Sequence, residues 1–147
     1  MKRSLSILIF AVVAFGCGGT KGVPADFANA CNVDNDAKVL EIGGVLQIRT
    51  SIFCSNRGGR MECPFDFVEA AGSEKKITAD IEQGSGANTV DEITRGFKKE
   101  DIKVRDDAGN PVGLGGDKVK LTGKMSIAPA APGGQGVCLM QVQKIEK

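Results

Sequence analysis

Five cysteines are the residues of this 147-residue chain best suited to chemistry: Cys17, Cys31, Cys54, Cys63 and Cys138. A thiol can be acylated, oxidised to a disulfide, or used as a thiolate to hold a metal or exchange disulfides. No two of the five stand at Cys-x-x-Cys spacing, which removes the usual redox and zinc-thiolate motifs. Histidine, tryptophan and tyrosine are all absent. The commonest general base and zinc ligand is therefore missing. Ser-His-Asp and Cys-His nucleophiles cannot be assembled, and only phenylalanine is left as a stacking platform for bases or sugars. What remains is carboxylate chemistry, which needs a geometry, and an odd thiol.

The odd thiol has an explanation at the N-terminus. Lys2 and Arg3 precede an apolar run over residues 5–15, broken only by Ser6, and Gly16 and Cys17 follow. A basic start, an apolar stretch of about 7 to 15 residues and a small-residue cut describe an export signal. A membrane-spanning helix needs about 20 apolar residues, and the Gly-Gly-Thr-Lys-Gly-Val-Pro run after Cys17 cannot extend one. Ala14-Phe15-Gly16-Cys17 resembles the lipobox of bacterial lipoproteins; Gly16 and Cys17 match it, while Ala14 is smaller and Phe15 bulkier than its usual residues. The resemblance implies cleavage before Cys17, lipidation of its thiol and attachment to a membrane of the cell envelope, inner or outer. More than one acyl chain, at about 0.8 kcal/mol per buried methylene, gives stable anchoring. The expected organisation is a lipoprotein signal peptide over 1–16, a Gly-rich tether over 17–28 and one domain over 29–147. Loss of Lys2 and Arg3 from 19 basic and 18 acidic residues leaves a net charge of −1, so no electrostatic case exists for nucleic acid or anionic lipid.

Four cysteines are left in an oxidising compartment, with three possible pairings. Residues 52–57 and 60–67 are strand-like runs around Gly58-Gly59, a dipeptide suited to a two-residue primed turn. In that register Arg57 faces Arg60, Asn56 faces Met61, Ser55 faces Glu62 and Cys54 faces Cys63. Pairs alternate outward from the turn, so Cys54 and Cys63 fall at a non-hydrogen-bonded site with Cα atoms about 4.5 Å apart, at the short end of disulfide geometry. Ile52, Cys54, Met61, Cys63, Phe65 and Phe67 then share one face, and Ser55, Arg57, Arg60, Glu62 and Asp66 the other. By elimination Cys31 pairs with Cys138.

Around this frame the alternation predicts a long strand over 38–48, bent or bulged at Gly43-Gly44, and strands over 76–83, 118–124 and 137–145. Thr89-x-x-Glu92, with Val90, Ile93 and Phe97 behind it, predicts a short helix over 90–98. Ile102 and Val104 mark a strand that leads to an Asp-Asp-Ala-Gly-Asn-Pro turn at 106–111. The fold class is all-β, a small barrel with one short helix; an immunoglobulin-like β-sandwich is the alternative. Lys38-Val39-Leu40-Glu41-Ile42-x-Gly44, Cys63-x-Phe65 and the run from Gly116 to Lys124, with the closing strand, resemble small exported bacterial OB-fold-like domains akin to the tRNA-anticodon-binding module. That resemblance covers most of 37–145 and implies an OB-like barrel.

Two further constellations invite chemistry. Asn32-x-Asp34-x-Asp36 opens like a calcium loop, but Ala37 stands where Gly is required and Gly43 where the closing Glu belongs, so a turn is expected and no metal or other cofactor. Lys118, Lys120 and Lys124, with Lys103 and Arg105 on a preceding strand, could form a basic stripe on one barrel face, the possible ligand face; the bland alternative is a solvated sheet surface. The resulting expectation is a lipid-anchored, non-catalytic binding or structural module for a protein or glycan. The OB resemblance supplies the alternative, an oligonucleotide- or oligosaccharide-binding protein, with nucleic acid disfavoured by the net charge.

Overall fold

The computed structural model describes residues 21–147. Cys17 and the signal read over 1–16 lie outside the described residues. Seven strands form where the apolar alternation is strictest: β1 (Val23–Pro24), β2 (Val39–Gln47), β3 (Ser55–Arg57), β4 (Arg60–Val68), β5 (Lys76–Glu82), β6 (Lys118–Ala128) and β7 (Val137–Glu146). Among the described residues, helix is confined to three-residue 3-10 turns at Phe27–Asn29, Val33–Asn35 and Lys99–Asp101. The fold is all-β.

The strands make one mixed sheet in the order β1-β2-β6-β7-β5-β4-β3, and an additional β2–β4 pairing brings the sheet partly round on itself. β2 makes this possible by serving two neighbours. Along one edge it pairs antiparallel with β6 from Val39 to Val45. Along the other it takes β1 at Leu40 and Glu41 and β4 at Val45 to Gln47. Among β2, β6, β7, β5 and β4, only β5 and β7 run parallel, through Thr78–Asp80 and Leu139–Gln141. One sheet curling on itself replaces the two separately bonded sheets that the sandwich alternative requires.

Inward side chains alternate along each strand: Leu40, Ile42 and Leu46 on β2, Cys63, Phe65 and Phe67 on β4, and Ile77, Ala79 and Ile81 on β5 are all buried. Each fully buried aliphatic or aromatic side chain contributes about 1.5–3 kcal/mol of transfer free energy. The expected irregularity at Gly43-Gly44 has a packing cause. A Cβ on Gly44 would collide with the Val68 carbonyl oxygen and lie 2.7 Å from the Phe67 ring, so the strand shared by β4 and β6 needs a glycine there. A second irregularity falls in β7, where the register with β6 shifts between Thr122 and Gly123. The extra residue lets Met140, Val142 and Ile145 all reach the core.

Both expected disulfides form, Cys54–Cys63 from the hairpin register and Cys31–Cys138 by elimination. Cys54 and Cys63 are joined with Cα atoms 4.1 Å apart, beside the pairs Ser55–Glu62, Asn56–Met61 and Arg57–Arg60. Cys31 is bonded to Cys138 at a Cα separation of 5.6 Å. This second bridge ties the segment before β2 to the start of the last strand.

Three expectations are corrected. Residues 90–98 form no helix: Val90 bridges Gln83 and Val104, the Thr89 hydroxyl donates to the Gly86 carbonyl at 2.7 Å, and Gly96 sits at φ +80°. The β-branched Val90, Ile93 and Thr94 favour this extended path. The tether does not reach residue 28, because β1 pairs with β2 and Phe27 is buried, its ring centroid 5.6 Å from that of Phe67. The two faces of the β3–β4 hairpin are also not simply dry and wet. Met61 is 40% exposed while Glu62 is only 3% exposed.

Candidate binding groove

The five residues proposed as a basic stripe do not make one cationic face. Lys118, Lys120 and Lys124 project outward from β6, between the inward Val119 and Leu121 and beside Met125. The Lys120 ammonium lies 3.3 Å from a Glu41 oxygen and 3.4 Å from a Glu146 oxygen. Hydrogen bonds to these two carboxylates raise its pKa above the ordinary lysine value. Arg105 is held bidentately by Asp91, at 3.0 and 3.1 Å, in the long loop between β5 and β6. Lys103 is exposed in that same loop. Two of the five cations are thus neutralised, and two lie off the β6 strand.

The outer face of β4 and β5 carries carboxylates: Glu62, Asp66, Asp80 and Glu82. Each has a cation. Arg49 and Lys76 reach Asp66 at 3.2 and 3.0 Å, and Arg60 reaches Glu82 at 3.6 Å. Arg57 lies 3.4 Å from Asp80 and 4.0 Å from Glu62. The Gln141 amide also donates to Glu62 Oε1 at 2.6 Å. Asp80 is 3% exposed; burial pushes its pKa above 3.8, and the charge of Glu62 pushes it further, against Arg57 and Arg49. A phosphate backbone approaching this face meets acids whose cations are already engaged.

Asn32, Asp34 and Asp36 serve the chain itself. Asn32 Oδ1 accepts from the Asp34 N–H at 3.1 Å, and Asp36 Oδ1 accepts from the Ile127 N–H at 2.8 Å. The Asp106 turn is likewise local: its Oδ1 accepts from the Ala108 and Asn110 N–H groups at 3.0 and 2.8 Å.

A groove of about 640 Å³ opens where the chain leaves β2, between residues 50–54 and 92–97. Ile52, Phe53, Cys54, Met61, Ile93 and Phe97 supply its apolar surface, and its polar lining includes Gln83, Glu92 and Arg95. Phe53 stands 80% exposed between Ile52, which is buried, and Cys54, which is bonded to Cys63. Two fixed neighbours therefore hold the backbone that presents this aromatic side chain to water. Large exposed apolar groups beside an apolar hollow mark interaction sites, and prior ordering of such an anchor lowers the entropic cost of binding. Sequence reasoning missed the groove: residues 52–54 precede β3, so strand alternation does not fix the side to which Phe53 turns, and it lines the groove together with Ile52 and Cys54. Nor does the sequence show that the loop bearing Ile93 and Phe97 comes to face that residue.

No protein-family model matches the chain, and neither a curated protein nor a solved structure matches it.

Proposed function

We propose that this chain is a lipid-anchored, non-catalytic module of the bacterial cell envelope that binds a protein partner through the groove at Phe53. The observation that carries the binding role is the exposed Phe53, set between a buried and a disulfide-bonded neighbour beside an apolar hollow. Two further facts support the anchoring. The four cysteines of the domain are consumed in two disulfides, so Cys17 is the single cysteine left outside them and follows Gly16 as in a lipobox. The disulfides also suit an oxidising, exported location. The strand order, with the parallel pair between β5 and β7 in an otherwise antiparallel run from β2 to β4, supports the OB-like barrel reading. Oligonucleotide binding is disfavoured by the carboxylates on the outer face of β4 and β5.

The test has two arms. Cell fractionation of the wild type and of Cys17→Ser should place the first with membranes and release the second into the soluble exported fraction. Cross-linking in intact cells should give a discrete adduct with the wild type that Phe53→Ser loses, with unchanged protein levels. A membrane-bound Cys17→Ser protein would remove the anchor, and adducts indifferent to Phe53 would remove the groove.

A further inference from the structure

We infer that the groove receives an extended peptide segment of the partner, added as a strand along the free edge of β3 with its alternate apolar side chains set into the groove. This rests on the reading of the groove as the binding site and adds how the partner is held.

The β3 edge is open. β3 ends the sheet order, and no other described strand pairs with it. Arg57 and Arg60 flank a two-residue turn and form a hydrogen-bonded pair, so Asn56–Met61 is a non-hydrogen-bonded pair, and Cys54, bonded to Cys63 with Cα atoms 4.1 Å apart, continues the alternation one step beyond β3. At such sites the backbone N–H and C=O point away from the partner strand. The main-chain groups of Cys54 and Asn56 therefore face outward, and neither takes part in a backbone hydrogen bond to a turn or loop. Asn56 Oδ1 is occupied within the hairpin, accepting from the Gly59 N–H at 3.0 Å, which leaves its main chain free. The sequence Ser55-Asn56-Arg57 is exposed throughout.

Edge and groove share a face. A residue directly opposite another across a ladder projects to the same side of the sheet. Partner residues opposite Cys54 and Asn56 would thus lie on the side of Cys54 and Met61, which line the groove. Partner residues between them would lie on the side of Arg57 and Glu62, which is charged. The segment this surface fits alternates apolar and polar residues over about five positions. Main-chain bonds supply affinity and the groove supplies selection, as in other strand-addition complexes.

The start of the described chain and the groove lie at opposite ends of β2. β1 meets β2 at Leu40 and Glu41, while β4 meets the same edge at Val45 to Gln47. The groove lies beyond that second end. At about 3.3 Å per residue the two places are on the order of 25 Å apart.

Three peptides test the inference against the purified, isotope-labelled full-length protein by nuclear magnetic resonance. The first is acetyl-Thr-Leu-Thr-Leu-Thr-amide; the second carries backbone N-methyl groups; the third has the same composition with its leucines adjacent. The first should shift the amides of Cys54 and Asn56 and slow their hydrogen exchange, and Phe53→Ser should weaken it about tenfold. N-methylation on the strand-facing edge should abolish binding. Equal binding of the methylated peptide, localised at Phe53, would overturn strand addition and leave the groove as a binding site. Binding of none, with no effect of Phe53→Ser on cell-surface adducts, would overturn the groove itself. Concentration-dependent shifts at Phe53 without peptide would assign the face to a second copy, and shifts on adding phosphatidylglycerol vesicles would assign it to a membrane; either overturns the peptide proposal.

Discussion

Asp80 and Phe53 violate the usual residue rules in opposite directions, one an acid out of water and the other an aromatic ring in it. Burial raises the pKa of Asp80 above 3.8. Between 3.8 and that raised value the folded protein keeps a proton that the unfolded chain has released, so stability falls as pH rises through the window. Asp80→Asn lacks this titration. Its stability relative to the wild type should therefore increase with pH through the same window, read from urea midpoints at a series of pH values, and a difference flat in pH would remove Asp80 as the cause. Phe53→Ser should leave the urea midpoint within about 0.5 kcal/mol of the wild type, because surface substitutions away from packed contacts seldom do more. Gly44→Ala sits at the other extreme. Its Cβ has no space against Val68 and Phe67, and overpacking of this kind costs about 1–3 kcal/mol.

Among the elements, the β3–β4 hairpin was the most legible, because every signal that defines it is local. Gly58 and Gly59 both take positive φ, the two-residue turn sets the register, and the register places Cys54 opposite Cys63. The 90–98 segment was misread for the converse reason: its apolar spacing suits a helix, but its partners Gln83 and Val104 come from outside the window. A disulfide's contribution also scales with the loop it closes. Chain-entropy arithmetic gives about 4.7 kcal/mol for Cys31–Cys138, whose sequence separation is 107, and about 2–3 kcal/mol for Cys54–Cys63, whose separation is 9. Replacing Cys31 and Cys138 by alanine should thus lower stability more than replacing Cys54 and Cys63, as measured by urea unfolding. The second pair should instead show its loss in Phe53-dependent binding, since Cys54 holds the loop that presents Phe53.

For the molecule as a whole, the groove opens at the end of β2 away from β1, and the outer face of β4 and β5 is acidic with its cations engaged. A labelled single-stranded oligonucleotide should show no salt-sensitive binding at low ionic strength in fluorescence anisotropy. A signal that falls with salt and weakens in Lys118→Ala or Lys124→Ala would restore the basic stripe as a ligand face. The sequence by itself determined the all-β class, the hairpin register and both disulfide pairings, because alternation, a Gly-Gly turn and cysteine parity act over short stretches or by counting. Only the tertiary structure decided which charges are spent and where the groove opens. Glu41, Lys120 and Glu146 meet across three strands, Glu62 meets Gln141, and Phe53 and Phe97, far apart in sequence, line one groove. The two ion-pair and hydrogen-bond encounters and the shared lining of the groove depend on how the sheet closes, which no local spacing encodes.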